Sequence, residues 1–269
     1  MIRQQRTLRH VIGCAGVGLH SGARVGLTLC PAAENSGIRF RRADRPGSPA
    51  IRAGLDHVVD ADMVTSLSDG RGGGIRMIEH LMAALAACEI DNVLVEVGGP
   101  EVPVMDGSAQ PFVLLMECAG TVEQAEPVAQ LELLRPLTAN SVDGHACLEP
   151  ARELELVLKR GNGPSARRLQ FAFSSEACKG RLVPARHGAE ASASGNDESL
   201  RHAALDVLGD LALIPARLQA CYTETGADPV LRRSLLRQLL SDPANWRLTG
   251  GPVALSGPSR VAPPLAYAS

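Results

Sequence analysis

Two short stretches of this 269-residue chain carry side chains that could do chemistry together. The first holds the adjacent pair Glu79 and His80, a carboxylate that could act as a base beside an imidazole that could bind a metal ion. The second holds His202 and Asp206, four residues apart, with Asp210 four residues further on. Residues four apart share one face of a helix, so His202 and Asp206 could chelate one cation.

Three of these residues match the ligand types and ligand number of a catalytic zinc site. His80, His202 and Asp206 supply two imidazoles and one carboxylate, which leaves the fourth position of a tetrahedral zinc ion for a water molecule. The alternative is that the second stretch is a capped surface helix with a solvated polar face, and that Glu79 and His80 are adjacent by chance and have no shared function. Each stretch alone favours this alternative, whereas the two together favour a metal site.

The composition argues against several classes of protein. The formal net charge of −2, with both signs mixed, disfavours a surface for nucleic acid or anionic membranes. The sequence contains no apolar run of the ~18 residues that a membrane span needs, and no signal peptide is indicated. The seven cysteines are scattered without a Cys-x-x-Cys motif, which is typical of a reduced cytoplasmic protein. We expect a cytoplasmic monomer with no nucleic-acid partner.

Hydrophobic spacing predicts the elements that position these side chains. Ile78, Leu81, Met82 and Leu85 recur at helical spacing, and Glu79 lies off that stripe. A second helix carries His202 opposite an apolar stripe. Further predicted helices span 111–119 and 230–240, and predicted strands span 25–29, 38–41, 63–67, 92–97, 131–134, 145–148, 154–158, 169–173 and 216–223.

The order of these elements indicates two similar halves. Residues 124–127 are predicted to link domains at 1–122 and 128–269. Each half runs through strands, a helix with metal-type residues, a strand and another helix, which suggests a structural duplication with one site shared between the halves. Residues 185–198 are predicted to form a flexible surface loop, and the chain after Ser241 is predicted to be irregular because it is rich in proline.

Together these residues resemble the UDP-3-O-acyl-N-acetylglucosamine deacetylases of lipid A synthesis, the LpxC family. The resemblance covers nearly all of the first half and, in the second half, chiefly the helix of His202. The matching motifs are Arg6-Thr7-Leu8, Gly16-Val17-Gly18-Leu19-His20-Ser21-Gly22, Glu79-His80-Leu81, Ile90-Asp91-Asn92, Val104-Met105-Asp106-Gly107-Ser108-Ala109, Pro111-Phe112-Val113, Arg201-His202, Asp206 and Gly209-Asp210-Leu211. The resemblance implies two α+β domains, each a β-sheet packed on helices, with the zinc site in the cleft between them.

The resemblance also implies a role for individual residues. The implied ligands of Zn²⁺ are His80, His202 and Asp206. Glu79 resembles the general base, and Asp210 resembles the acidic residue that supports a catalytic histidine. Met63 and Val64 stand at positions assigned to substrate binding. The implied reaction is hydrolysis of the acetamide of a small-molecule nucleotide sugar.

The sequence departs from the family's pattern in three places. Ala203 stands where the family has a lysine, and Thr225–Pro229 stand where it has a glycine-histidine step that carries the acid. The segment from Phe173 to Leu200 is also shorter and lacks most of the insert that forms the acyl-chain passage. Two interpretations stay open: a zinc-dependent deacetylase in which Glu79 is both base and acid, and a non-catalytic zinc-binding paralogue with a regulatory or scaffolding role. A metal-free structural relative is disfavoured by the three ligand-type residues.

Overall fold

A computed structural model of the chain describes residues 2–59, 64–142, 144–161, 166–186, 195–226 and 228–252, with the backbone alone at 195–197. Its strands are β1 (Gln4–Leu8), β2 (Ile12–Val17), β3 (Arg24–Pro31), β4 (Ile38–Arg42), β5 (Ile51–Arg52), β6 (Val58–Val59), β7 (Ser66–Ser68), β8 (Gly74–Ile75), β9 (Val93–Val97), β10 (Thr121–Pro127), β11 (Gln130–Leu133), β12 (Leu137–Asn140), β13 (His145–Pro150), β14 (Glu155–Arg160), β15 (Arg167–Ala172), β16 (Arg217–Thr225) and β17 (Trp246–Thr249). Its helices are α1 (Glu79–Ala87), α2 (Gln110–Ala119), α3 (Ser175–Arg181), α4 (Gly195–Leu211) and α5 (Pro229–Ser241), with a 3-10 turn at Pro243–Asn245. These sheets and helices confirm the predicted α+β class.

The first half is built on a five-stranded sheet in the order β2-β3-β9-β4-β5. Its central strand, β9, runs antiparallel to β3 and parallel to β4. Val93, Val95 and Val97 of β9 are fully buried, because alternate residues of a strand point to one face of the sheet and these three meet the core. A separate three-stranded sheet, β6-β7-β8, follows along the chain.

The second half repeats this topology. Within a seven-stranded sheet, the strands β12-β13-β16-β14-β15 take the same order, and β16 runs antiparallel to β13 and parallel to β14. In each half one helix precedes the central strand and one follows it, α1 and α2 around β9, α4 and α5 around β16. The matching strand order confirms the predicted duplication. The residue bounds of the two domains, 1–122 and 128–269, remain a proposal.

The duplication gives α1 and α4 equivalent places in the two halves, and these helices pack directly against each other. Seven residues of α1 are buried, namely Glu79, Leu81, Met82, Ala83, Ala84, Leu85 and Ala87. The sequence predicts one apolar stripe, but α1 is buried on nearly all sides because it lies between α4, α2 and α3. None of the helices in the described ranges is long and apolar enough to cross a membrane.

Two sequence-based predictions of local structure are wrong. Residues 124–127, proposed to link the two domains, form the end of β10, which pairs antiparallel with β1. In the tail predicted to be irregular, residues 243–249 form the 3-10 turn and β17, whose Leu248 pairs with Leu131 of β11. Residues 253–269 of that tail lie outside the described part of the chain. Residues 195–198, predicted as part of a surface loop, belong to α4, and residues 187–194 lie outside the described part of the chain.

Candidate metal centre and active site

The two packed helices bring the three predicted metal ligands together. His80 Nε2 lies 3.0 Å from His202 Nε2 and 3.3 Å from Asp206 Oδ1. One candidate ligand atom from each of the three residues can be chosen so that all lie within 4.8 Å of one another. Two zinc–nitrogen bonds of ~2.0–2.1 Å at a tetrahedral angle place the nitrogens roughly 3.4 Å apart, so the spacing suits one shared cation.

The polar atoms of this cluster also fit a cation chemically. Asp206 Oδ1 is shielded from solvent, and no described residue gives it a hydrogen bond of acceptable geometry. The two imidazole rings meet edge-on, with centroids 4.9 Å apart and planes inclined at 77°, and their Nε2 atoms lie 3.0 Å apart. An orphaned carboxylate oxygen beside two facing imidazole nitrogens is the donor set that Zn²⁺ prefers.

The charges of the cluster favour an anionic carboxylate. Burial alone would raise the pKa of Asp206, but the contact of its carboxylate with His80 at 3.3 Å and the charges of both imidazoles outweigh burial and lower the pKa. Burial likewise favours neutral His80, but Asp206, and then Glu79, raise the pKa of its imidazole. Metal ions compete with protons for these same atoms, so a bound cation would take the place that a proton holds at His80.

Gly209 allows the two helices to approach this closely. A Cβ atom added to Gly209 would lie 2.2 Å from the backbone oxygen of Glu79, a distance that real Cβ atoms do not show. Gly209 therefore sets the spacing between α4, which carries His202 and Asp206, and the first turn of α1, which carries His80.

Replacing Gly209 with alanine should force the helices apart and weaken both the fold and the metal site. We expect the free energy of unfolding to fall by about 1–3 kcal/mol, the usual effect of overpacking, and zinc affinity to fall because the ligands come from both helices. Urea unfolding measures the change in the free energy of unfolding, and a zinc titration measures the change in zinc affinity. Gly180→Ala in α3 is the control, because its Cβ would meet nothing within 4 Å. Wild-type stability and zinc affinity in Gly209→Ala would contradict the prediction.

The candidate base, Glu79, is the first residue of α1 and is 9% exposed. The backbone N–H of Thr65 donates to Glu79 Oε2 at 3.1 Å. Burial, reinforced by the negative charge of Asp206, raises the pKa of Glu79 to about 7. A carboxylate with a pKa near neutrality can both accept and return a proton at physiological pH.

Asp210 lies four residues after Asp206 on α4, but it is hydrogen-bonded to other protein groups. Its side chain is 1% exposed. Its two oxygens accept hydrogen bonds from Thr65 Oγ1 at 2.6 Å and from Arg232 Nη1 at 2.7 Å. The carboxylate of Asp210 therefore braces two chain segments, one before α1 and one in α5.

Beyond Asp210 lies a buried network of charged groups that the sequence-based predictions missed. Arg232 Nε donates to Glu224 Oε2 at 3.0 Å, and the hydroxyl of Tyr222 donates to the same oxygen at 2.7 Å. Arg160 Nη2 donates to Glu224 Oε1 at 3.0 Å. The signal for this network was that Arg232 shares one face of α5 with Leu235, Leu236 and Leu239, where an apolar residue is expected. A charge on an apolar face needs buried partners.

The remaining predicted site residues are placed as follows. Val64 is half-buried and directly precedes Thr65, whereas Met63 lies outside the described residues. Ala203 is half-buried beside His202 and brings no cation. In the stretch where a glycine-histidine step is expected, Gly226 is followed by Ala227, which lies outside the described residues. The next residue, Asp228, caps α5 by accepting a hydrogen bond from the N–H of Leu231 at 2.9 Å.

Comparisons with known proteins agree on one family. A family profile described as UDP-3-O-acyl N-acetylglycosamine deacetylase, LpxC, matches residues 5–192. A UDP-3-O-acyl-N-acetylglucosamine deacetylase of Acidithiobacillus ferrooxidans is 37% identical, with 91% of this chain and 92% of that protein aligned. Proteins of the same name from Myxococcus xanthus (91% of this chain, 88% of that protein) and a Shewanella species (95% and 97%) are 35% and 33% identical. The similarity thus extends across both halves of the chain.

Proposed function

This chain belongs to the LpxC family of UDP-3-O-acyl N-acetylglycosamine deacetylases, and we propose that it is a zinc-dependent N-deacetylase. Its proposed substrate is UDP-3-O-acyl-N-acetylglucosamine or a related acylated amino sugar of lipid A biosynthesis. The observation that carries the proposal is the convergence of His80, His202 and Asp206 within 4.8 Å, next along the chain to the buried Glu79. The names of the relatives supply the substrate class.

In this proposal His80, His202 and Asp206 hold Zn²⁺. When bound, Zn²⁺ would supply a water of lowered pKa and stabilise negative charge on the carbonyl oxygen of the acetamide. The buried carboxylate of Glu79 takes a proton from the attacking water, and its burial favours the protonated form that results. The amide of Thr65 holds the carboxylate of Glu79 in place.

The leaving amine must gain a proton, and Glu79 is the proposed donor. The carboxylate that has taken a proton from water can return it to the amine nitrogen. The two oxygens of Asp210 accept hydrogen bonds from Thr65 and Arg232. The chain carries no histidine after His202.

The second candidate function is a non-catalytic zinc-binding paralogue that regulates or scaffolds. Two observations favour it: Ala203 stands beside His202 where the family has a lysine, and the stretch Thr225–Pro229, where a glycine-histidine step is expected, contains no histidine. Release of free amine from the nucleotide sugar by zinc-loaded protein tests the proposal directly. Zinc binding without amine release would support the paralogue instead.

The short segment between Phe173 and Leu200 leads to a prediction about the acyl chain. The alignment with the Acidithiobacillus relative spans 287 positions, more than this chain has residues, so that relative has segments that this chain lacks. Each buried methylene contributes about 0.8 kcal/mol. With much of the apolar wall absent, we expect kcat/KM to differ less than about tenfold between short-chain and long-chain substrates. A steep preference for one long chain would contradict this prediction.

We also propose that the protein acts in the cytoplasm. All seven cysteines are free thiols, as expected in a reducing compartment. A monomeric state remains a prediction, which the molecular mass in solution would check.

A further inference from the structure

We propose that Thr65 is a positioning residue for Glu79, which it ties to the buried pair of Asp210 and Arg232. This inference rests on the proposed function, since it concerns the base of the same reaction. Thr65 lies 14 residues before Glu79 in sequence and is 3% exposed.

The backbone of Thr65 contacts the start of α1 at two points. Its N–H donates to Glu79 Oε2 at 3.1 Å, and its carbonyl oxygen accepts from the N–H of Ile78 at 3.3 Å. The first bond fixes the carboxylate, and the second fixes the backbone that precedes it. The position of the backbone at Thr65 therefore sets the orientation of the Glu79 carboxylate.

The side chain of Thr65 fixes that peptide segment to the rest of the protein. Its hydroxyl donates to Asp210 Oδ1 at 2.6 Å, and Asp210 Oδ2 accepts from Arg232 Nη1 at 2.7 Å. Arg232 is in turn held by Glu224, which accepts from Tyr222 and Arg160 as well. The charges of Asp210, Arg232 and Glu224 are almost fully buried. This part of the network is rigid, because any displacement leaves a buried charge without its partner.

This arrangement connects the two halves of the chain at Glu79, the proposed general base. Thr65 and Glu79 belong to the first half, whereas Asp210 and Arg232 lie in α4 and α5 of the second half. The Thr65 hydroxyl is thus a connection between the second half, which supplies His202 and Asp206, and the base that must act beside them. A misplacement of about 1 Å at a catalytic group can cost ~10²-fold in rate.

Replacing Thr65 with valine removes the hydroxyl and keeps the shape of the side chain. For zinc-loaded protein we expect kcat to fall about 10- to 100-fold, with KM changed less than about twofold and zinc content unchanged. Thr65→Ser restores the hydroxyl and should return kcat to within about threefold of wild type. Thr7→Val is the matched control, because Thr7 is equally buried and donates its hydroxyl to the Asn92 carbonyl oxygen away from the site. It should lower thermal stability without a comparable loss of kcat.

A purely structural Thr65 would predict a different pattern. In that case Thr65→Val and Thr7→Val would lose stability alike and keep kcat, and Thr65→Ser would give no specific rescue. Crystal structures of the zinc-loaded wild type and Thr65→Val give a readout that needs no turnover. We expect the distance from the residue 65 amide to Glu79 Oε2 to increase beyond hydrogen-bonding range in the variant. If the wild type is inert, the proposed function fails, and an unchanged distance in the variant would separately overturn the role of Thr65.

Discussion

Glu79→Gln should abolish deacetylation while the protein still binds one zinc ion. Glutamine keeps the size of the side chain and can still accept the hydrogen bond from the Thr65 amide, but it cannot take up a proton. General acid–base catalysis contributes about 10²–10⁴-fold in rate, and Glu79 is proposed to perform both transfers. We therefore expect kcat to fall toward the upper end of that range. Steady-state kinetics on protein of measured zinc content check the effect.

His187→Ala is the control for this substitution, because His187 is the histidine of the second half that falls in the shortened segment, outside the described residues. We expect this variant to retain wild-type kcat within a few fold. A loss in His187→Ala as large as that in Glu79→Gln would show that the histidine supplies the acid. In that event the assignment of both proton transfers to Glu79 is wrong.

His80→Ala and Asp206→Ala should each lose the metal ion and, with it, all measurable activity. Each substitution removes one of three protein ligands, and the two that remain do not make the three-ligand site of catalytic zinc enzymes. The zinc content measured by elemental analysis should fall from about one zinc per chain toward zero. His145→Ala is the matched control, since His145 is exposed on β13 and bonds to Asn140. Full zinc content in His80→Ala or Asp206→Ala would remove these residues from the metal site.

The residues of the metal cluster could be predicted from the sequence because chemistry restricts them. His202 and Asp206 stand four apart on a helix, and Glu79 and His80 stand together at the start of another. The repeated order of elements then predicted that the two helices face each other, and the packing of α1 against α4 agrees. Spacing within one element and symmetry between elements are both visible in a sequence.

The groups that brace the site could not be predicted in this way. Thr65 falls in the predicted strand 63–67 and in the structure directly precedes β7, and nothing in its sequence neighbourhood points to Asp210, 145 residues away. Gly209 looks like an ordinary helix-weakening glycine until the backbone oxygen of Glu79 is found against it. These roles arise from contacts between distant segments, which a local pattern does not encode.

The central claim is that this chain, with zinc bound, hydrolyses the acetamide of an acylated UDP-amino sugar. The most direct test is a single-turnover assay in which protein with one zinc per chain is in excess over UDP-3-O-acyl-N-acetylglucosamine, and the free amine and acetate are measured by mass spectrometry. We predict that amine and acetate appear in equal amounts, that chelation stops their formation and that added Zn²⁺ restores it. No amine after prolonged incubation of fully zinc-loaded protein would contradict the claim and favour the non-catalytic paralogue.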